Sequence, residues 1–141
     1  MRTLFLGFFS LLAGCGERPP DPAQLAQGAR VYAQHCAACH GAKLEGQPNW
    51  RQRMPSGRMP APPHDESGHT WHHPDGVLFG ITKNGVTPPY GPPGYESDMP
   101  AFAGKLFDEE IRAVLAYIKS HWTSADVLEA RAEMIRNMEK R

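Results

Sequence analysis

Residues 35–41 read HCAACHG, and this stretch decides how the rest of the chain is read. Cys36 and Cys39 stand three apart, nearly one helical turn, so both thiols face one edge of whatever lies beside them. His40 follows at once and presents its imidazole from the same turn. Two thiols at this spacing can add to the two vinyl groups of an iron porphyrin, with the histidine binding the iron; C-x-x-C-H is the attachment pattern of a c-type haem. A zinc site would call for a second cysteine pair, and the chain has three cysteines in all. A redox dithiol would call for alternating strands and helices, which the pattern lacks. The motif therefore predicts one covalent haem c on Cys36 and Cys39 with His40 on one face of the iron. An open opposite face would make a gas or substrate site, and a filled one an electron carrier.

Upstream, residues 1–15 read MRTLFLGFFSLLAGC. One basic residue, Arg2, precedes an apolar run from Leu4 to Leu12, far short of the about 20 residues that span a bilayer as a helix. The run fits the apolar region of a secretory signal. Its end, Leu12-Ala13-Gly14-Cys15, is similar to the lipobox of bacterial lipoproteins, which are cleaved before the cysteine and carry a diacylglycerol on its thiol. Residues 1–14 are thus expected to be a signal peptide, Cys15 a lipid attachment site and residues 15–24 a polar, Pro-rich tether. This uses all three cysteines, leaving none for a disulfide. The protein is expected to be exported, facing the periplasm and held to a bacterial membrane. Residue 16 is Gly rather than Asp, so the inner-membrane retention signal of some enteric bacteria is absent, and the inner and outer membranes both stay open.

Composition agrees with a small domain that gains from a prosthetic group. The chain has 141 residues, 40% hydrophobic, and some of the latter belong to the N-terminal run. The 14 prolines are roughly twice the usual share of about 5%. Fifteen basic residues balance fifteen acidic ones, so the basic surplus of a nucleic-acid binder is missing and no nucleic-acid partner is expected.

Downstream of the tether the periodicity is helical, with no stretch that argues for strand. Asp21-Pro22 is a capping residue followed by proline at the first helical position. Leu25, Ala29, Tyr32 and Cys36 share one face, and Gly41 is a stop. Residues 41–74 form a long Pro-rich loop, of the length found wrapped around something or carrying function. A short helix is predicted at 75–83, capped by Asp75, with Val77, Leu78 and Ile81 inward and Asn84-Gly85 as stop. Residues 86–105 are loop again. Residues 107–122, FDEEIRAVLAYIKSHW, make the clearest helix: Asp108 as cap, Glu109 and Glu110 at its positive end, and Ile111, Val114, Leu115, Ile118 and Trp122 as its apolar stripe. Residues 124–139 read as a weaker charged helix, with Val127, Leu128, Ile135 and Met138 in a partial stripe expected to pack on its own domain.

Four stretches in order, GARVYAQHCAACHG (28–41), GQPNW (46–50), SDMPAF (97–102) and LFDEEIRAVLAYIKS (106–120), resemble the class I, mitochondrial-like cytochromes c. The resemblance implies an all-α fold, three to five helices around one haem with long irregular loops, over residues 25–122, followed by a charged helical extension at 123–141. It implies single-electron transfer between redox proteins rather than catalysis. In that family a glycine eight residues before the first haem cysteine lets the N-terminal helix cross closely over the C-terminal one. Gly28 stands there, and Tyr32 one turn on is expected to meet Leu115 and Tyr117.

The resemblance points to Met99 in DMPAF as the sixth ligand. A thioether favours ferrous iron and raises the potential relative to two histidines. Met99 lies 59 residues after His40, enough chain to pass round a ring, whereas Met54 and Met59 follow by only 14 and 19. A metal-bound imidazole usually donates its other N–H to a carbonyl. In the family a proline carbonyl after a glycine receives it, and Pro48 matches. Trp50, Arg51 and Arg53 are candidates to meet the haem propionates, with a solvated loop face as the alternative for the arginines.

Outside the shared pattern, HDESGHTWHHPD (64–75) crowds His64, His69, His72 and His73 together. Such spacing can bind copper or zinc, and one histidine could displace Met99. More plainly, His72 or His73 bonds a propionate beside Trp71 and the rest face solvent. Electron transfer is the leading expectation. A gas- or peroxide-binding sensor or enzyme with a labile sixth ligand, a copper-handling protein, and an electron-accepting subunit of a larger oxidoreductase are the alternatives.

Overall fold

The structure is a computed structural model that describes residues 21–140. The expected signal peptide, Cys15 and residues 16–20 of the tether lie outside the described residues. Five α-helices follow one another: α1 (Pro22–His35), α2 (Ala37–His40), α3 (Asp75–Asn84), α4 (Asp108–Lys119) and α5 (Ala125–Glu139). A 3-10 turn at Thr70–His72 is the one regular piece between α2 and α3. Among the described residues there is no strand and no helix long and apolar enough to cross a membrane. The expected all-α class is thus the class observed.

The organising contact is the crossing of α1 over α4, made possible by a missing side chain. A Cβ on Gly28 would stand 2.1 Å from the carbonyl oxygen of Ala113 and 2.7 Å from Cβ of Tyr117. Ala113 is fully buried beneath it. The buried face of α1 therefore runs through Gly28, Val31 and Tyr32 rather than through Leu25 and Ala29. Tyr32 meets Tyr117 as expected, ring centroids 5.5 Å apart. Leu115 sits at the core margin, and Ala113 fills the place under the glycine.

From α4, Ile111, Val114 and Ile118 enter the core, joined by Val31, Tyr32, Leu44, Leu78, Phe102, Leu106 and Trp122. Trp122 lies just beyond the helix and donates its indole N–H to the His64 carbonyl at 2.9 Å. Asp108 is not the cap of α4 but its first residue. The cap position belongs to Phe107, whose N–H donates to the Glu110 carboxylate at 2.8 Å. Asp108 instead binds the Lys83 ammonium at 2.7 Å and ties α3 to α4.

Asp75 is likewise the first residue of α3 and not its cap. It pairs with Lys119 of α4 at 2.5 Å and with Arg131 of α5. Leu78, Gly80 and Thr82 are the buried residues of α3, so its inner face is rotated away from Val77 and Ile81. The reason is again a glycine, because the Tyr90 ring occupies the space a Cβ on Gly80 would fill.

The extension packs on the domain. Arg131 in α5 is buried, donates to the carbonyls of Trp71 (2.9 Å) and His73 (2.6 Å), and lies over the Trp122 ring. Glu66 accepts hydrogen bonds from the N–H groups of Thr123 and Ser124 and holds the start of α5.

Candidate haem site

The site is built at the break between α1 and α2. The Cys36 carbonyl accepts from the N–H of both Cys39 (3.1 Å) and His40 (2.9 Å), which winds the two thiols and the imidazole into one tight turn. Gly41 ends it at φ +81°, a conformation natural only to glycine, with its N–H on the Ala37 carbonyl. The Tyr32 hydroxyl donates to the Gly41 carbonyl at 2.9 Å, fastening the turn to α1. Cys36 is half-buried and Cys39 exposed. Burial, helped by the nearby Cys39, pushes the Cys36 thiol up to about 11.

His40 is buried, and burial lowers its pKa. Its Nδ1 lies 2.8 Å from the carbonyl oxygen of Pro62. A carbonyl only accepts, so Nδ1 carries the proton and Nε2 keeps its lone pair. The expected acceptor, Pro48, is not the one used. Residues 47–61 leave the turn and return to it. The Gln47 N–H donates to the Ala61 carbonyl at 2.9 Å, and the Ala61 N–H to Gln47 Oε1 at 2.9 Å. This neck leaves Pro48 exposed at the exit and brings Pro62 back over the imidazole.

The histidine cluster does not converge. His64 is partly buried rather than solvent-exposed, stacked on His40 with centroids 3.9 Å apart and planes 21° from parallel. Two rings in such contact cannot grip one metal from opposite faces, so His64 is no stand-in for Met99. Its Nδ1 is 2.9 Å from Thr70 Oγ1, and the Thr70 hydroxyl donates to the Pro63 carbonyl, so His64 Nδ1–H is the donor. Burial, then His40 and His69, push its pKa down to about 3. His69 stacks on Trp50 (5.3 Å), His73 meets His69 edge-on (5.4 Å) and His72 lies against Trp71 (3.6 Å). Among the described residues no group of three or more His, Cys, Asp or Glu is arranged to hold a metal ion.

The remaining expected residues fall in two places. Met99 is half-buried against the core, and its N–H donates to Ser97 Oγ at 3.1 Å. Trp50 and Trp71 are each partly buried, with the Arg51 guanidinium 4.3 Å from the Trp50 ring centre. The Trp71 indole N–H is taken by the Glu66 carbonyl, and Arg53 is turned to the Gly57 carbonyl. Sequence reasoning missed Pro62 and Arg58, whose guanidinium binds Asp98 beside Met99, and it named His64 without its stacking on His40. A signal for Pro62 existed in the Pro60-Ala61-Pro62-Pro63 run, which stiffens a chain that must pass close to a buried ring.

Two thiols and an imidazole on one turn, the imidazole held as the Nδ1–H tautomer with Nε2 free, fit a covalently attached haem. The fold and this turn define a c-type haem protein. The family model described as Cytochrome c matches residues 25–122, and the chain belongs to the cytochrome c family. Covalent haem c on Cys36 and Cys39 and haem-based electron transfer come with that membership. No curated protein and no solved structure matches the chain.

Proposed function

We propose that the chain is a class I monohaem cytochrome c, tethered to a membrane by lipid on Cys15, that passes single electrons between redox proteins with iron held by His40 and Met99. The observation that carries the reading is the His40 Nδ1–H on the Pro62 carbonyl, because it commits one ring nitrogen and leaves the other basic for iron. When bound, the haem supplies a reversible one-electron couple at iron. The chain's part is to hold that couple with little rearrangement. Pro62 fixes the imidazole rotation and raises its donor strength. His64 stacks on its flank, and Tyr32 ties the turn down. Met99 brings a neutral thioether from a loop against the same core. With His40 and Met99 both bound, the iron would have no position open to a substrate.

Optical spectra of the purified protein in both redox states, with and without carbon monoxide, test this. The ferric protein is expected to show the weak red charge-transfer band of a methionine–iron bond, and the ferrous protein to bind carbon monoxide poorly. Met99→Ala removes the band and opens the iron. Ready carbon monoxide binding by the unaltered protein would favour the sensor or enzyme reading. The tether is tested apart from the haem: the lipidated form leaves membranes with detergent and not with salt, and Cys15→Ala loses lipid with an unchanged haem spectrum. A diacylglycerol anchor has the two chains that stable attachment needs.

A further inference from the structure

We propose that Arg58 is a positioning residue for Met99, gripping the Asp98 carboxylate so that the neighbouring thioether stays on the iron; this rests on the reading of Met99 as the sixth ligand. Arg58 sits on a closed turn rather than a loose loop. The Met54 N–H donates to the Arg58 carbonyl at 2.9 Å, the Gly57 N–H to the Met54 carbonyl at 2.8 Å, and Arg53 to the Gly57 carbonyl at 2.6 Å. From this base the guanidinium reaches forty residues along the chain to Asp98 and stands 3.5 Å from the Glu96 carboxylate.

The receiving segment is itself closed. Because the Met99 N–H is on Ser97 Oγ, residues 97–99 move together, and a grip on Asp98 is a grip on Met99. The excursion at 47–61 thus serves both faces: its neck delivers the Pro62 carbonyl to His40, and Arg58 near its far end holds the Met99 segment.

The side chains of Arg58 and Asp98 are 41% and 54% exposed, so the grip is that of a surface ion pair, modest and screened by salt. A ligand that binds only when Met99 is off the iron reports it, since its apparent affinity scales with the fraction of protein in which Met99 is off. Exogenous imidazole is that probe.

The experiment titrates imidazole into the ferric, haem-loaded full chain at low salt and at high salt, following the methionine–iron band. Arg58→Gln and Asp98→Asn are each expected to bind imidazole about two- to fivefold more tightly than the unaltered chain at low salt. Arg58→Lys stays close to the unaltered chain, and high salt moves the unaltered chain toward the variants. Unchanged imidazole affinity in Arg58→Gln and Asp98→Asn overturns the proposal, including when thermal stability falls, because that outcome is merely structural. Met99→Ala separates the two readings. If it lacks the band and binds imidazole far more tightly while the Arg58 and Asp98 variants do not change, only the role of Arg58 is lost. If it behaves as the unaltered chain does, Met99 is not the ligand and both readings fall.

Discussion

His40 and Pro62, twenty-two residues apart in sequence, are joined by a 2.8 Å hydrogen bond from the imidazole Nδ1–H to the proline carbonyl. The approach depends on Gly46, at φ +68°, whose N–H donates to the His40 carbonyl at 2.8 Å. A Cβ on Gly46 would come within 2.4 Å of the Pro63 nitrogen and 2.7 Å of the Pro62 carbonyl carbon. Gly46→Ala should therefore push Pro62 off the imidazole. The weaker donor stabilises ferric iron less, so the reduction potential should rise. A differential of about 1 kcal/mol corresponds to roughly 40 mV for one electron. Redox titration checks the sign, and a fall would remove Pro62 from this role.

Gly28→Ala should destabilise the fold, although alanine favours an isolated helix by about 1 kcal/mol. The added methyl meets the Ala113 carbonyl, which is backbone and cannot rotate away. The helices must part, at a cost of about 2–3 kcal/mol net. Denaturant midpoints of the haem-loaded protein measure this, and a stabilised variant would mean that α1 and α4 do not cross here.

Arg131→Ala should release α5 and spare the haem. It leaves the Trp71 and His73 carbonyls without their donor and removes one of the cations on Asp75. The loss is about 2–4 kcal/mol for docking of the extension. Limited proteolysis should then cut within 123–139 while the optical spectrum holds. Equal resistance in both proteins would show that Arg131 does not hold α5 to the domain.

Acid should loosen the same extension through Glu66. The Ser124 N–H, then that of Thr123, hold its carboxylate below the usual glutamate range. A depressed folded-state pKa means stabilisation that is complete above the ordinary value near 4.3 and lost as pH falls through the folded one. Protease sensitivity of the 123–139 segment should therefore rise on acidification below about pH 4. Glu66→Gln keeps an acceptor but cannot titrate, so its sensitivity should change less with pH. Parallel profiles would assign the effect to other carboxylates.

Helix positions were legible because they rest on local signals. Asp21 accepts from the Ala23 N–H, Gly41 stops α2, and the stripe of Ile111, Val114 and Ile118 is buried as its spacing predicts. The readings that failed were those needing a partner from elsewhere. Asp75 and Asp108 look like caps in sequence, yet each sits one residue inside its helix because a cation from another element claims it. The four histidines look like a metal cluster, yet ring partners from other segments claim two of them: His40 takes His64 and Trp50 takes His69.

The C-x-x-C-H turn and the helical class follow from chain chemistry over a few residues, and the sequence by itself determined them; the crossing at Gly28 was legible through the family resemblance. Which proline carbonyl faces His40, what lies flat against that ring and which arginine reaches the Met99 segment were decided only by tertiary structure. Each depends on how a long, proline-stiffened excursion returns, and return geometry is set by pairings such as Gln47 with Ala61 and Arg58 with Asp98, fourteen and forty residues apart, that no local pattern encodes.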